Sequence, residues 1–255
     1  MNSTVISTWD SQLVALSFVI SVLGSFVALA AANMMRHADG SLSRVNTLAA
    51  GLALGGIGVW SMHFIGMAAL KLDVTTGYSL IETLVSLVAA VAAATLALMY
   101  VAKDSTSLLR IAVAGAVLGI GVAVMHYLGM YGVRIGGYIA WNYGVVALSV
   151  LIAVAAASAA LWLAFNTPTL GFRVLAAVVM GVAVCSMHYT GMAAADYICT
   201  TADRRAVPEG FGVIRAGQLP LLVACVALGI TALIFMDQVI QRFQGRLAES
   251  RPARR

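Results

Sequence analysis

Three short segments of this chain carry side chains able to hold a metal ion. They are Ser61-Met62-His63-Phe64-Ile65-Gly66-Met67, Val124-Met125-His126-Tyr127-Leu128-Gly129-Met130 and Ser186-Met187-His188-Tyr189-Thr190-Gly191-Met192. The chain has four histidines, and three of them stand here. Imidazole nitrogen beside thioether sulfur is a ligand set that suits copper. Each histidine lies inside a long apolar run, where an ionisable side chain is costly and marks a functional site. The three recur at intervals of 63 and 62 residues, the length of two membrane-crossing helices with their loops.

The repeat can be read as a helix face, because offsets of three, four and seven residues share one. Four residues after each histidine stand Met67, Met130 and Met192, which with His63, His126 and His188 form the candidate ligand set. Met62, Met125 and Met187 directly precede the histidines and point about 100° away on a helix, so they are weaker ligand candidates. Cys185, three residues before His188, is a further soft candidate without a counterpart in the other copies. Gly56, Gly119 and Gly181, seven residues before the histidines, are expected to let helices approach closely in lipid. A purely structural motif would also recur in a triplicated unit, with each histidine bonded to a carbonyl. Packing alone, however, would tolerate Leu or Gln in some copies, whereas every copy keeps its histidine and both methionines.

The elements that must position these residues follow from composition. The chain is 62% hydrophobic and 10% charged, against about 25% charged in a soluble domain. Its mean hydropathy is +0.97. Apolar runs of spanning length predict an all-α, polytopic membrane bundle of seven transmembrane helices with internal two-helix repeats. The spans are Leu13–Met35, Thr47–Leu70, Leu80–Ala102, Leu109–Met130, Tyr143–Phe165, Phe172–Ala194 and Leu219–Ile240. The polar breaks on one side hold Arg36, Arg44, Lys103, Arg110 and Arg173, with Arg242, Arg246, Arg251, Arg254 and Arg255 in the tail. The other side holds Lys71, Arg134, Arg204, Arg205 and Arg215. The positive-inside rule then puts the N-terminus outside and the C-terminus in the cytoplasm. Residues 1–242 form the membrane domain and 243–255 a basic cytoplasmic tail. The second, fourth and sixth helices run outward, so the three histidines share one depth near the extracytoplasmic surface.

Other features carry less. Asp10 and Glu82 read as interfacial charges, with an alternative role as acceptors for a histidine N–H. Trp9, Trp60, Trp141 and Trp162 read as interfacial anchors. His37 reads as a solvated loop residue. Three cysteines make no disulfide framework, with Cys185 and Cys225 in apolar segments and Cys199 in a polar loop. No basic face accompanies a soluble fold, so nucleic acid is not an expected partner. No catalytic residues are assigned, and the chain is not expected to be an enzyme.

At the three motifs the chain resembles the MHYT domain family of bacterial integral-membrane sensors. Met187-His188-Tyr189-Thr190 matches the name-giving sequence, the second copy departs at Leu128, and the first departs at Phe64 and Ile65. The resemblance implies a multi-pass protein of the bacterial inner membrane that binds copper, one ion or two, through its His and Met residues. It further implies sensing of a diatomic gas such as O2, CO or NO. Many members continue into cytoplasmic cyclase or phosphodiesterase domains; here the signal is expected to pass to a separate cytoplasmic partner. Two rivals remain open at this point. One is a haem protein with His/Met axial ligation. The other is a copper-handling or transport protein, which the apolar inner halves of the histidine helices disfavour.

Overall fold

The computed structural model describes residues 3–36, 41–166, 169–208 and 210–249. His37 and the tail arginines Arg251, Arg254 and Arg255 lie outside the described residues. Among the described residues, seven helices are long and apolar enough to cross a membrane. We number them α1 (Ser11–Ala32), α2 (Arg44–Ala69), α3 (Leu80–Ala102), α4 (Leu108–Tyr131), α5 (Tyr143–Phe165), α6 (Leu170–Met192) and α7 (Leu219–Glu249). Side chains that accept from free first-turn N–H groups start five of them: Asp10, Ser43, Ser107, Asn142 and Thr169. Asp10 is therefore a helix cap.

The first six helices close a ring in chain order, with α6 returning to α1, and α7 lies against the outer side of α2. The odd-numbered ring helices turn small residues inward. On α1 the buried stripe is Ser17, Ser21, Gly24, Ser25 and Ala28, and on α5 it is Ser149, Ala153, Ala157, Ala160 and Ala164. Their larger residues, such as Val19, Leu23, Leu148 and Leu151, face outward. Where lipid replaces water there is no hydrophobic drive between helices, so close contact of small residues takes over as the packing force.

Helix α2 differs from its counterparts α4 and α6. Its centre, Leu52–Ser61, is a π-helix, a wider coil that often accompanies functional sites. Three glycines fall within it, and two neighbours come close there. A Cβ on Gly55 would sit 2.6 Å from the Ala90 carbonyl oxygen of α3, and one on Gly24 of α1 would meet the backbone of Gly58. Trp60, expected at an interface, is instead fully buried. Its indole N–H donates to the Thr83 carbonyl at 2.9 Å and the Ser86 hydroxyl at 3.1 Å.

The polar breaks at one end of the bundle are not plain loops. They form eight short strands: β1 (Ser3–Thr4), β2 (Ser7–Trp9), β3 (Leu70–Leu72), β4 (Gly77–Ser79), β5 (Val133–Arg134), β6 (Gly137–Trp141), β7 (Ala195–Cys199) and β8 (Val213–Arg215). They pair antiparallel as β1-β7-β6, β2-β3 and β5-β4-β8. Three of these strands, β3, β5 and β7, follow α2, α4 and α6 and lie one in each sheet, so each histidine helix ends in its own strand pairing. Cys199, expected in an accessible loop, lies on β7 and is buried; strand pairing on both sides covers it. Glu82 pairs with Arg134 across this end at 2.7 Å and accepts from the Ser79 hydroxyl.

Candidate metal centre

The histidines lie four to six residues from the β-strand end of their helices, at one depth. All three face the bundle interior and are buried, none more than 1% exposed. Their Nδ1 atoms converge. The separations are 3.0 Å for His63–His188, 3.1 Å for His63–His126 and 3.4 Å for His126–His188. The rings stand steeply to one another, with interplanar angles of 73°, 82° and 89°. A triangle with those sides has a centre about 1.8 Å from each Nδ1, within a few tenths of an ångström of a metal–imidazole bond of about 2.0 Å. Among the described residues this is the one group of histidine, cysteine or carboxylate side chains assembled closely enough to hold an ion.

A second observation concerns the far ring nitrogens. The Nε2 atoms of all three histidines are buried without a hydrogen-bond partner. Each instead lies over a glycine of the next histidine helix, in one rotational sense. A Cβ added at Gly129 would meet Nε2 of His63, one at Gly191 would meet His126, and one at Gly66 would meet His188. These glycines, three residues after each histidine, leave the room the rings occupy. With Nδ1 turned to the centre, the tautomer that carries its proton on Nε2 leaves all three lone pairs free for a cation.

The residue after each histidine steadies its ring edge-on, with centroids 4.6 Å apart for His63–Phe64 and 4.7 Å for both His126–Tyr127 and His188–Tyr189. Tyr127 bonds to the Ser149 hydroxyl at 2.6 Å and Tyr189 to the Ser17 hydroxyl at 2.8 Å. Phe64 lacks that oxygen, and Trp60 bonds to Ser86 in its place. Ser17, Ser86 and Ser149 were not singled out in the sequence. Their signal was a serine six residues after the first residue of each odd ring helix.

Met67, Met130 and Met192 are buried one turn closer to the strands. Met67 and Met192 line a cavity of about 210 Å³ at that end, together with Tyr78 and Tyr197. Burial pushes the phenols of Tyr78 and Tyr197 above their ordinary range. Met62 and Met125 are buried away from these cavities, and Met187 lines a different, apolar one. Cys185 is buried but stands outside the histidine group. Asp10 and Glu82 are engaged as helix cap and ion pair, with no bond to the histidines. Gly56, Gly119 and Gly181 face α7, α5 and α1 respectively: a Cβ there would meet Ile230, Val154 and Val22. They seat the histidine helices against the outer helices rather than against one another.

Comparison with known proteins finds relatives among bacterial signalling proteins. The MHYT family model, described as "Bacterial signalling protein N terminal repeat", matches residues 56–114 and 119–177. Those stretches hold His63 and His126; the third motif lies beyond them. A bifunctional diguanylate cyclase/cyclic di-GMP phosphodiesterase of Pseudomonas aeruginosa, MucR, is 36% identical over 92% of this chain and 34% of its own length. The cyclic di-GMP phosphodiesterase NbdA of the same organism is 34% identical over 88% of this chain and 30% of its own length. The signaling protein YkoW of Bacillus subtilis is 28% identical over 74% of this chain and 24% of its own length. The chain thus spans about a third or less of the relatives it matches. No solved structure matches it.

Proposed function

Since the chain belongs to the MHYT family of bacterial membrane signalling proteins, we propose that it is a membrane sensor module whose centre is a copper ion held by His63, His126 and His188. The single observation that carries this is the Nδ1 triangle with sides of 3.0, 3.1 and 3.4 Å. Three imidazoles alone would also suit zinc. The soft sulfurs of Met67, Met130 and Met192 one turn away favour copper. When bound, copper(I) supplies an open coordination position for a diatomic ligand such as O2, CO or NO. One ion fits the triangle; a second would need the methionines as its main ligands.

The residues around the centre have separable tasks. The glycines at 66, 129 and 191 admit the rings, and Phe64, Tyr127 and Tyr189 hold them edge-on. The strand sheets fix the ends of α2, α4 and α6. The charge bias supports a strand end outside an inner membrane and a basic tail of residues 243–255 in the cytoplasm. The output is cytoplasmic signalling of the cyclic di-GMP type named for the relatives.

Two features argue against the rival readings. The imidazoles contact one another, which leaves no slot between them for a porphyrin. The cavity on the side away from the strands offers a cation no carboxylate, imidazole or hydroxyl, only the thioethers of Met180 and Met187 among aliphatic groups, and lacks the charged or polar residues that mark an ion pathway. Elemental analysis of the purified protein tests the proposal. Wild type and Met125→Leu are expected to carry copper, and the triple His→Ala variant to carry none. Full copper in the triple variant would overturn the assignment.

A further inference from the structure

The histidine centre has a second approach, from the bilayer. On the side away from the strands, a cavity of about 30 Å³ lies among α2, α4, α5 and α6. Val59, Val122 and Val184, each one turn before a histidine, form its wall nearest the centre, with Met187 beside His188. Met180 and Ala157 line it further down. Toward the bundle surface its wall is made of the half-buried Ala156, Ala183 and Val184, between α5 and α6. No hydroxyl, amide or charged side chain lines it.

We propose that this cavity is a docking site for a small apolar gas molecule that enters from the hydrocarbon of the bilayer and waits one helical turn from the histidines. Water is excluded by chemistry, since a buried water needs two to four polar partners and the lining side chains offer none. The size fits as well. A single water needs about 10–15 Å³ of this measure, so 30 Å³ holds a molecule of two heavy atoms and rejects a lipid tail or an aromatic ring. The route follows from solvent preference. An apolar solute concentrates in hydrocarbon, and the thin alanine wall between α5 and α6 is the part of the cavity that faces it. By contrast, the cavity at the strand end is lined by Lys71, Thr76 and two tyrosines beside the thioethers of Met67 and Met192, polar groups that hold water rather than an apolar gas and soft sulfurs that suit copper. The centre would then receive its metal from one side and its gas from the other.

The inference rests on the diatomic-ligand reading for its purpose but is tested apart from it. The probe is dissolved O2 under pressure, whose paramagnetism relaxes nearby methyl groups, read on methionine methyls of the protein in lipid nanodiscs. Met180 and Met187 line the cavity, whereas the equally buried Met35 and Met62 do not. Relaxation is expected to rise at the first pair and stay near baseline at the second. Ala157→Val fills the cavity and should abolish the difference; Val184→Ala enlarges it and should increase it. A merely structural disturbance would not give opposite signs. In copper-loaded protein, Ala157→Val should also slow CO association about tenfold, the factor ~1.4 kcal/mol of barrier produces. Equal relaxation at all four methionines overturns the docking site, and an unchanged CO rate in Ala157→Val overturns its place on the route. Should wild type bind no CO while the O2 effect follows both substitutions, the docking site stands and the diatomic-ligand reading falls.

Discussion

Gly129→Ala is the smallest change that should dismantle the centre without touching a ligand. The new methyl would overlap Nε2 of His63 and lie 3.1 Å from both its Cδ2 and Phe64 Cζ, where ordinary contact is 3.4–4 Å. Phe64 packs against the His63 ring at 4.6 Å and so limits retreat on that side. The ring must swing, and its Nδ1 moves with it. Metal sites hold ligand distances to within about 0.2 Å, and a shift of roughly 0.5 Å exceeds that. Disturbing the groups that orient a ligand typically costs about 10–100-fold in metal affinity, or about 1.4–2.8 kcal/mol. Overpacking also costs about 1–3 kcal/mol of stability, so affinity must be read on folded protein. Competition between the purified variant and a copper(I) chelator gives that number. Gly171→Ala on α6 is the control, because a Cβ there meets nothing within 4 Å. Gly66→Ala and Gly191→Ala should behave like Gly129→Ala, since each glycine faces a ring in the same way. Undiminished affinity in folded Gly129→Ala would refute the view that the glycines position the rings.

Two further outcomes follow from the same geometry. Because Cys199 is buried, membrane sidedness should be read from Ala206→Cys at the exposed strand end; labelling from outside is expected, and labelling only from the cytoplasm would reverse the orientation. Tyr127→Phe removes the bond to Ser149 and should cost about 0.6 kcal/mol, the average for such bonds between membrane helices, with copper affinity unchanged. A copper loss matching that of His126→Ala would make the phenol a participant in binding.

The helical layout was legible because each span is a long apolar run and each histidine interrupts one. Leu80–Ala102 and Tyr143–Phe165 were read to the residue, because cap residues and charges bound them. The convergence of the histidines was legible through the repeat, since equal spacing on parallel helices implies equal depth. Less was visible where tertiary contact decides. The strands are two to five residues long and pair only with distant partners, so local pattern did not reveal them. Gly66, Gly129 and Gly191, three residues after the histidines, share the histidine's face on their own helix. Their task is to receive the ring of a neighbouring helix, which no single-helix argument contains. Trp60 looked like an interfacial anchor because its partners Thr83 and Ser86 lie on another span.

The exchange of Phe64 and Trp60 for a tyrosine shows how a threefold site survives in an unsymmetrical chain. Three copies of a two-helix unit need a hydroxyl-to-aromatic bond from each odd ring helix to its histidine partner. Two copies make it through Tyr189 to Ser17 and Tyr127 to Ser149. In the first copy the donor moves back one turn, from residue 64 to residue 60. The same helix carries the π segment and is the one that α7 covers, with Ile230 seated against Gly56. It is the most enclosed span, 89% buried across its apolar window against 44% or less in the others. The unpaired seventh helix therefore falls on the one repeat that has departed from the common pattern. The motif positions His63, Gly66 and Met67 keep the identities found in the other two copies. Divergence has gone into the helix's outer contacts, and the axis where the three rings meet has kept its symmetry.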